Sequence, residues 1–183
     1  MVQITKAVIL AAGLAPDMYP FTKVESKLMM PILNKPVIQY LVEELEASGI
    51  KEILIVASHT SKLLSYFKDD EGLKKKLKEL EKDTLIESLK EIIPKSKVDI
   101  VRKSSHQGWV NELYDLRNSI GNEPFLVCFS DILYQSQFPA AKQVITIFNK
   151  NKKNIMADGR FVFKPEMCKA LEKKIKEEDK PLS

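Results

Sequence analysis

Residues 6–14 read Lys-Ala-Val-Ile-Leu-Ala-Ala-Gly-Leu, a short buried-strand pattern that empties directly into a loop of small side chains. A strand ending in such a loop brings backbone N–H groups up to any anion that lies beyond it. After the loop come Pro20, Thr22-Lys23, Ser26-Lys27, Met29, Pro31 and Lys35-Pro36, and then a helical run, Val37–Ser48, stopped by Gly49. The alternation continues down the chain. Glu52–Ala57 predicts a second strand, and Ser61–Phe67 a short helix with Thr60 or Ser61 as its cap. Glu71–Ile93 predicts a long helix or a helix pair ending at Pro94, and Val98–Arg102 a third strand. Val110–Ile120 predicts a helix stopped by Gly121, and Phe125–Phe129 a fourth strand.

Short apolar strands separated by amphipathic helices predict an α/β fold, a Rossmann-like, mostly parallel sheet flanked by helices. Ligands of open sheets bind beyond the carboxyl ends of the strands. The Ala11–Lys27 loop, the Lys103–Gly108 loop and Asp131 should therefore share one crevice. Further on, Pro139–Asn149 reads as a helix, Lys150–Asn154 as a polar run, and residues 158–167 as a strand running into a helix.

Composition narrows the function classes. The 183 residues suit one domain with a substantial core, and 44% of them are apolar, as in ordinary globular proteins. The net charge of +4 comes mostly from Lys-rich helical stretches interleaved with Glu. Such stretches read as solvated faces rather than a nucleic-acid surface. Cys128 and Cys168 give neither a disulfide framework nor metal-ligand spacing. With no signal peptide and no apolar run approaching a membrane span, the expectation is a soluble, cytoplasmic protein that contacts no membrane.

The run Leu10-Ala11-Ala12-Gly13-Leu14, the pairs Thr22-Lys23 and Ser26-Lys27, and the element Gly159-Arg160-Phe161-Val162 before Pro165-Glu166 together resemble one family. It is that of the sugar-nucleotide pyrophosphorylases, nucleotidyltransferases, and in particular the prokaryotic UTP–glucose-1-phosphate uridylyltransferases. The resemblance implies that a sugar 1-phosphate attacks the α-phosphorus of UTP and pyrophosphate departs, with Mg²⁺ as cofactor. It implies Lys27 as the catalytic lysine on the phosphates and Asp131 as a metal ligand. It further implies Ala11, Ala12, Gly13, Leu14, Lys103 and Gly108 as nucleotide-binding positions. Residues 1–183 would form one shortened domain, with a nucleotide-binding core at 1–135 and a reduced part at 136–183 that lacks most of the sugar-binding insertion. Its expected ligands are UTP or a UDP-sugar.

Several positions depart from the family pattern. Its Gly-Thr-Arg becomes Ala15-Pro16-Asp17. Pro16 removes an N–H, and Asp17 puts a carboxylate where the family has the arginine that clamps the triphosphate. Unit charges about 5 Å apart at an effective dielectric near 20 interact by roughly 3 kcal/mol, so reversing one costs several decades in rate. Asp17 and Glu25 can also neutralise Lys23 and Lys27 within the loop. The family's base-reading Gln is Lys103, and its second glycine is Val110. The family's second metal-binding Asp falls beyond residue 183. Trp109 reads as packing rather than stacking, and His59 and His106 as surface loop residues. Three functions stay open: a working uridylyltransferase, an inactive relative that binds a nucleotide, and an interaction or regulatory partner of an active paralogue in a homo- or hetero-oligomer.

Overall fold

The computed structural model describes residues 2–13, 15–58, 61–103 and 108–178. Chain order opens with β1 (Lys6–Ala11), a small ribbon of β2 (Pro31–Ile32) and β3 (Lys35–Pro36), α1 (Val37–Ala47) and β4 (Glu52–Ala57). It continues through α2 (Ser61–Tyr66), α3 (Glu71–Glu79), α4 (Asp83–Ile92), β5 (Lys97–Arg102), α5 (Trp109–Asp115) and α6 (Arg117–Ile120). β6 (Phe125–Phe129), α7 (Ala140–Asn151), β7 (Ile155–Ala157), β8 (Arg160–Phe163) and α8 (Glu166–Glu178) complete it.

Six strands make one sheet in the order β5-β4-β1-β6-β8-β7. β1 pairs in parallel with β4 on one side, from Lys6 opposite Glu52 to Ala11 opposite Ala57. On its other side it pairs in parallel with β6, Ala7 opposite Leu126. β4 and β5 are parallel too, whereas β8 runs antiparallel to both β6 and β7. The sheet is therefore mostly parallel, with helices on both faces.

Alternation along β1 sorts the core into two layers. Ala7, Ile9 and Ala11 face one layer with Ile38, Leu41 and Leu45 of α1 and Val144 and Phe148 of α7. Val8 and Leu10 face the other, with Leu113, Leu116 and Ile120 of α5 and α6 and Leu171 of α8. Each fully buried Leu, Ile or Phe contributes about 1.5–3 kcal/mol by leaving water. Cys128 sits inside the first layer, where burial pushes its thiol up to about 12 and keeps it inert.

The strands predicted from sequence recur with bounds shifted by at most a residue, and the stretch at 71–93 is a helix pair. Three expectations are corrected. The single helix expected at 110–120 is two, divided at Leu116, whose backbone leaves the helical run. The helix expected to end at Asn149 continues to Asn151, where Lys152 in the left-handed conformation closes it. The polar run after it leads into an unforeseen strand, β7, which pairs with β8 as a hairpin. Leu14, Thr60, His59 and His106 lie outside the described residues.

Candidate functional site

Beyond the carboxyl ends of β1 and β6 lie two adjoining cavities of about 270 and 540 Å³. Lys27 and Asp131 line both, so they stand on the partition between them. Each is put there by apolar anchoring one step away in sequence. Leu28, wholly buried in the core, pins the turn Lys27–Met29, and Ser26 Oγ caps it by accepting from Leu28 N at 3.3 Å. That leaves Lys27 half-buried at the crevice. Asp131 follows the buried strand β6 and is exposed to the crevice at its end.

The smaller cavity is walled by Leu10, Ala12, Gly13, Gly108 and Trp109. A methyl group at Gly13 or Gly108 would meet no protein atom within 4 Å, so what a side chain there would fill is the cavity itself. Gly108 has φ of 84°, a conformation open to glycine, as it starts α5. Trp109 is 36% exposed and meets Phe129 edge-on at 6.0 Å. The packing role expected of it is thus only half correct, because its other side faces the cavity. Ala12 is buried at the wall, while Ala11 points into the core and lines neither cavity. Lys103 lines neither as well, being ion-paired to Asp115, and its N–H donates to Ala57 O at 3.1 Å.

The larger cavity is mostly apolar, with Met18, Met30, Ile32, Val37 and Leu133 in its wall. Its loop side is Ala15-Pro16-Asp17. Ala15 adopts φ of 45°, a left-handed conformation that costs a residue with a Cβ roughly 1–2 kcal/mol. Thr22 Oγ1 donates to its carbonyl at 3.1 Å and holds the turn. Asp17 is exposed and faces the cavity. Glu25, read as able to neutralise the loop lysines, is buried, accepts from Ser26 N at 3.1 Å and pairs with Lys62 of α2.

Two side chains join the site that sequence reading passed over. Ser130 is 3% exposed, lines the larger cavity and has a buried hydroxyl with no hydrogen-bond partner among the described residues. Glu112, three positions after Trp109 and so on the same face of α5, is buried against the smaller cavity. That i,i+3 spacing was its one sequence signal, whereas Ser130 had none. The described lining thus sets the carboxylates of Asp17 and Asp131 beside the ammonium of Lys27, an unfavourable field for a bare polyphosphate.

A divalent cation fits this donor set. Asp131 offers a hard carboxylate oxygen and Ser130 an unsatisfied hydroxyl beside it, and phosphate oxygens and water commonly complete such a sphere for Mg²⁺. Among the described residues no group of three or more His, Cys, Asp or Glu is placed to hold a metal ion. No helix of the described chain is long and apolar enough to cross a membrane.

Comparison with known proteins shows the family and the fold. The family model described as nucleotidyl transferase matches residues 6–153. The UTP–glucose-1-phosphate uridylyltransferase of Staphylococcus haemolyticus (strain JCSC1435) is 36% identical over 157 residues, 85% of this chain and 54% of that protein. The chain thus spans about half the length of the curated relatives it matches. A crystal structure of apo UDP-glucose pyrophosphorylase superposes with a TM-score of 0.80 at 23% identity, over 93% of this chain and 80% of that one. A UTP-bound enzyme of that kind from Acinetobacter baumannii gives a TM-score of 0.76 at 24% identity, over 83% and 55%. At such identities the superpositions establish the shared fold.

Proposed function

The chain belongs to the nucleotidyl transferase family, and from that premise we propose a UDP-glucose-pyrophosphorylase-like protein that binds UTP or a UDP-sugar together with Mg²⁺ and transfers the nucleotidyl group poorly. The observation that carries this reading is the shared position of Lys27 and Asp131 on the partition between a glycine-walled cavity and a second, larger one. A reaction that joins two phosphates needs its charged groups at such a junction.

In the family's reaction a phosphate oxygen of the sugar 1-phosphate bonds to the α-phosphorus, and the bond from that phosphorus to the bridging oxygen of pyrophosphate breaks. The chain's own residues divide the task. Gly13 and Gly108 leave room for the nucleotide against the backbone, and Trp109 offers a flat apolar wall. Lys27 supplies positive charge to the phosphates, and Asp131 with Ser130 would hold the cation. Mg²⁺, when bound, would supply the charge that offsets Asp17 and Asp131 and the charge that develops on the leaving group. Asp17 opposes transfer, because it offers repulsion where the reaction gathers negative charge.

Calorimetric titration with UTP tests the proposal. With Mg²⁺ a micromolar dissociation constant is expected, and without it none. Nucleotide at a hundredfold excess over that constant should stabilise the fold by about 2.7 kcal/mol, and Lys27→Ala should abolish most of this. Absence of heat up to millimolar UTP with Mg²⁺ would overturn the reading.

A further inference from the structure

We propose that Arg160, backed by Glu44 and flanked by Gly159, is the positioning residue for the turn carrying Ser130 and Asp131; what that turn binds rests on the reading above. Arg160 is 0% exposed, yet it lines neither cavity. Its guanidinium meets Glu44 with two parallel bonds, Nε to Oε1 at 2.9 Å and Nη2 to Oε2 at 2.6 Å. The remaining donors go to backbone. Nη1 donates to Gly159 O at 2.8 Å and Phe129 O at 3.4 Å, and Nη2 to Ile132 O at 3.3 Å. Phe129 and Ile132 are the two residues that bracket Ser130-Asp131. One planar fork therefore grips both ends of the turn, a geometry that a lysine cannot reproduce.

Glu44 is itself fixed. Its Oε1 also accepts from Ala141 N at 3.0 Å, so α1, the start of α7 and β8 are tied to the same ion pair. Gly159 acts from the other side. Its N-terminal neighbour Asp158 accepts from the Tyr134 hydroxyl, and its own carbonyl accepts from Phe129 N at 3.0 Å. A Cβ on Gly159 would stand 2.9 Å from Ile132 Cδ1 and 3.0 Å from Ile132 Cβ, in a backbone at φ +61°. Ile132 thus rests on the bare Cα, and any side chain there would push the turn outward. A buried ion pair is weak evidence for stability, but a fork that holds two carbonyls around a cation-facing carboxylate sets that carboxylate's direction.

Two variants separate positioning from bulk stability. Arg160→Lys keeps the charge and loses the fork, and Gly159→Ala pushes Ile132 away while leaving Arg160 and its pairing with Glu44 in place, which keeps the test alive should the first variant not fold. Hydrogen exchange at residues 130–133 is compared with exchange in β1 and β4, and the Mg²⁺ midpoint for UTP binding is measured by calorimetry. The expected result is faster exchange confined to 130–133. With it, the Mg²⁺ midpoint should rise about 10–100-fold while UTP affinity at saturating Mg²⁺ changes little, as for groups that orient metal ligands. Uniformly faster exchange across the sheet, or a loosened turn with an unmoved Mg²⁺ midpoint, would overturn the proposal. If the unaltered protein gives no heat with UTP and Mg²⁺, the nucleotide reading falls separately. The exchange pattern then decides alone: a local rise upholds the positioning of the turn, and a uniform rise overturns it.

Discussion

Asp17 lines the cavity that Lys27 and Asp131 also line, so replacing it by arginine reverses a charge at the site without touching the core. Asp17 is exposed, and solvent screening takes most of the Coulomb gain. About one decade in UTP affinity is the expected improvement from Asp17→Arg, read by titration, together with a rise in pyrophosphate release in the presence of glucose 1-phosphate. An unchanged affinity would mean that the side chain points away from bound phosphate. Much of the site was legible at this scale. Gly13, Lys27, Gly108 and Asp131 were each marked by the family resemblance, and the structure brings all four to one crevice. Ala11 and Lys103 carried the same motif signal but face the core and Asp115, because spacing along a chain does not fix which way a side chain turns. Ser130 and Glu44 left no local pattern, and the motif that holds Arg160 gave no sign of its partner, since their meaning comes from groups distant in sequence or from a missing one.

At the scale of elements, the strands were the readable part, since β-branched and apolar runs bounded by helices leave little ambiguity. The breaks were not. Val110–Ile120 keeps an apolar stripe through Leu113, Leu116 and Ile120, and periodicity cannot show that the backbone kinks between two helices feeding one core layer. The β7–β8 hairpin was hidden by its polar approach, Lys152-Lys153-Asn154. The pair α3 and α4 is different again. Its apolar stripe is plain in the sequence, yet neither helix buries a residue, and Leu73, Leu80 and Leu85 are exposed. Helices that short gain little stability without packing. Amide exchange over 71–92 should therefore run orders of magnitude faster than in β1 and β4, by local opening that spares the sheet. Protection equal to that of the sheet would show that the hairpin is covered in solution.

At the scale of the whole molecule, α1, α7, β8 and the end of β6 meet on one buried ion pair. Glu44→Ala strands the Arg160 charge in the interior, at an expected cost of about 3–5 kcal/mol. In thermal melts this corresponds to a fall of roughly 6–20 °C in midpoint for a chain of this size. A change within error would mean that water or another carboxylate takes the place of Glu44. The same pair also sets a timetable. Its partners are separated by 116 residues, and β1 closes the sheet only when β6 arrives on its far side. A ribosome adding about 5–20 residues per second needs roughly 6–23 s to travel from the carboxylate to the guanidinium. During that interval the nascent chain can assemble β1, β4 and β5 while Glu44 waits unmatched, and the Asp131 turn, once made, has nothing to grip it until Arg160 follows. The crevice thus matures after most of the framework, and translation pauses before codon 160 would lengthen the life of a folded but siteless intermediate.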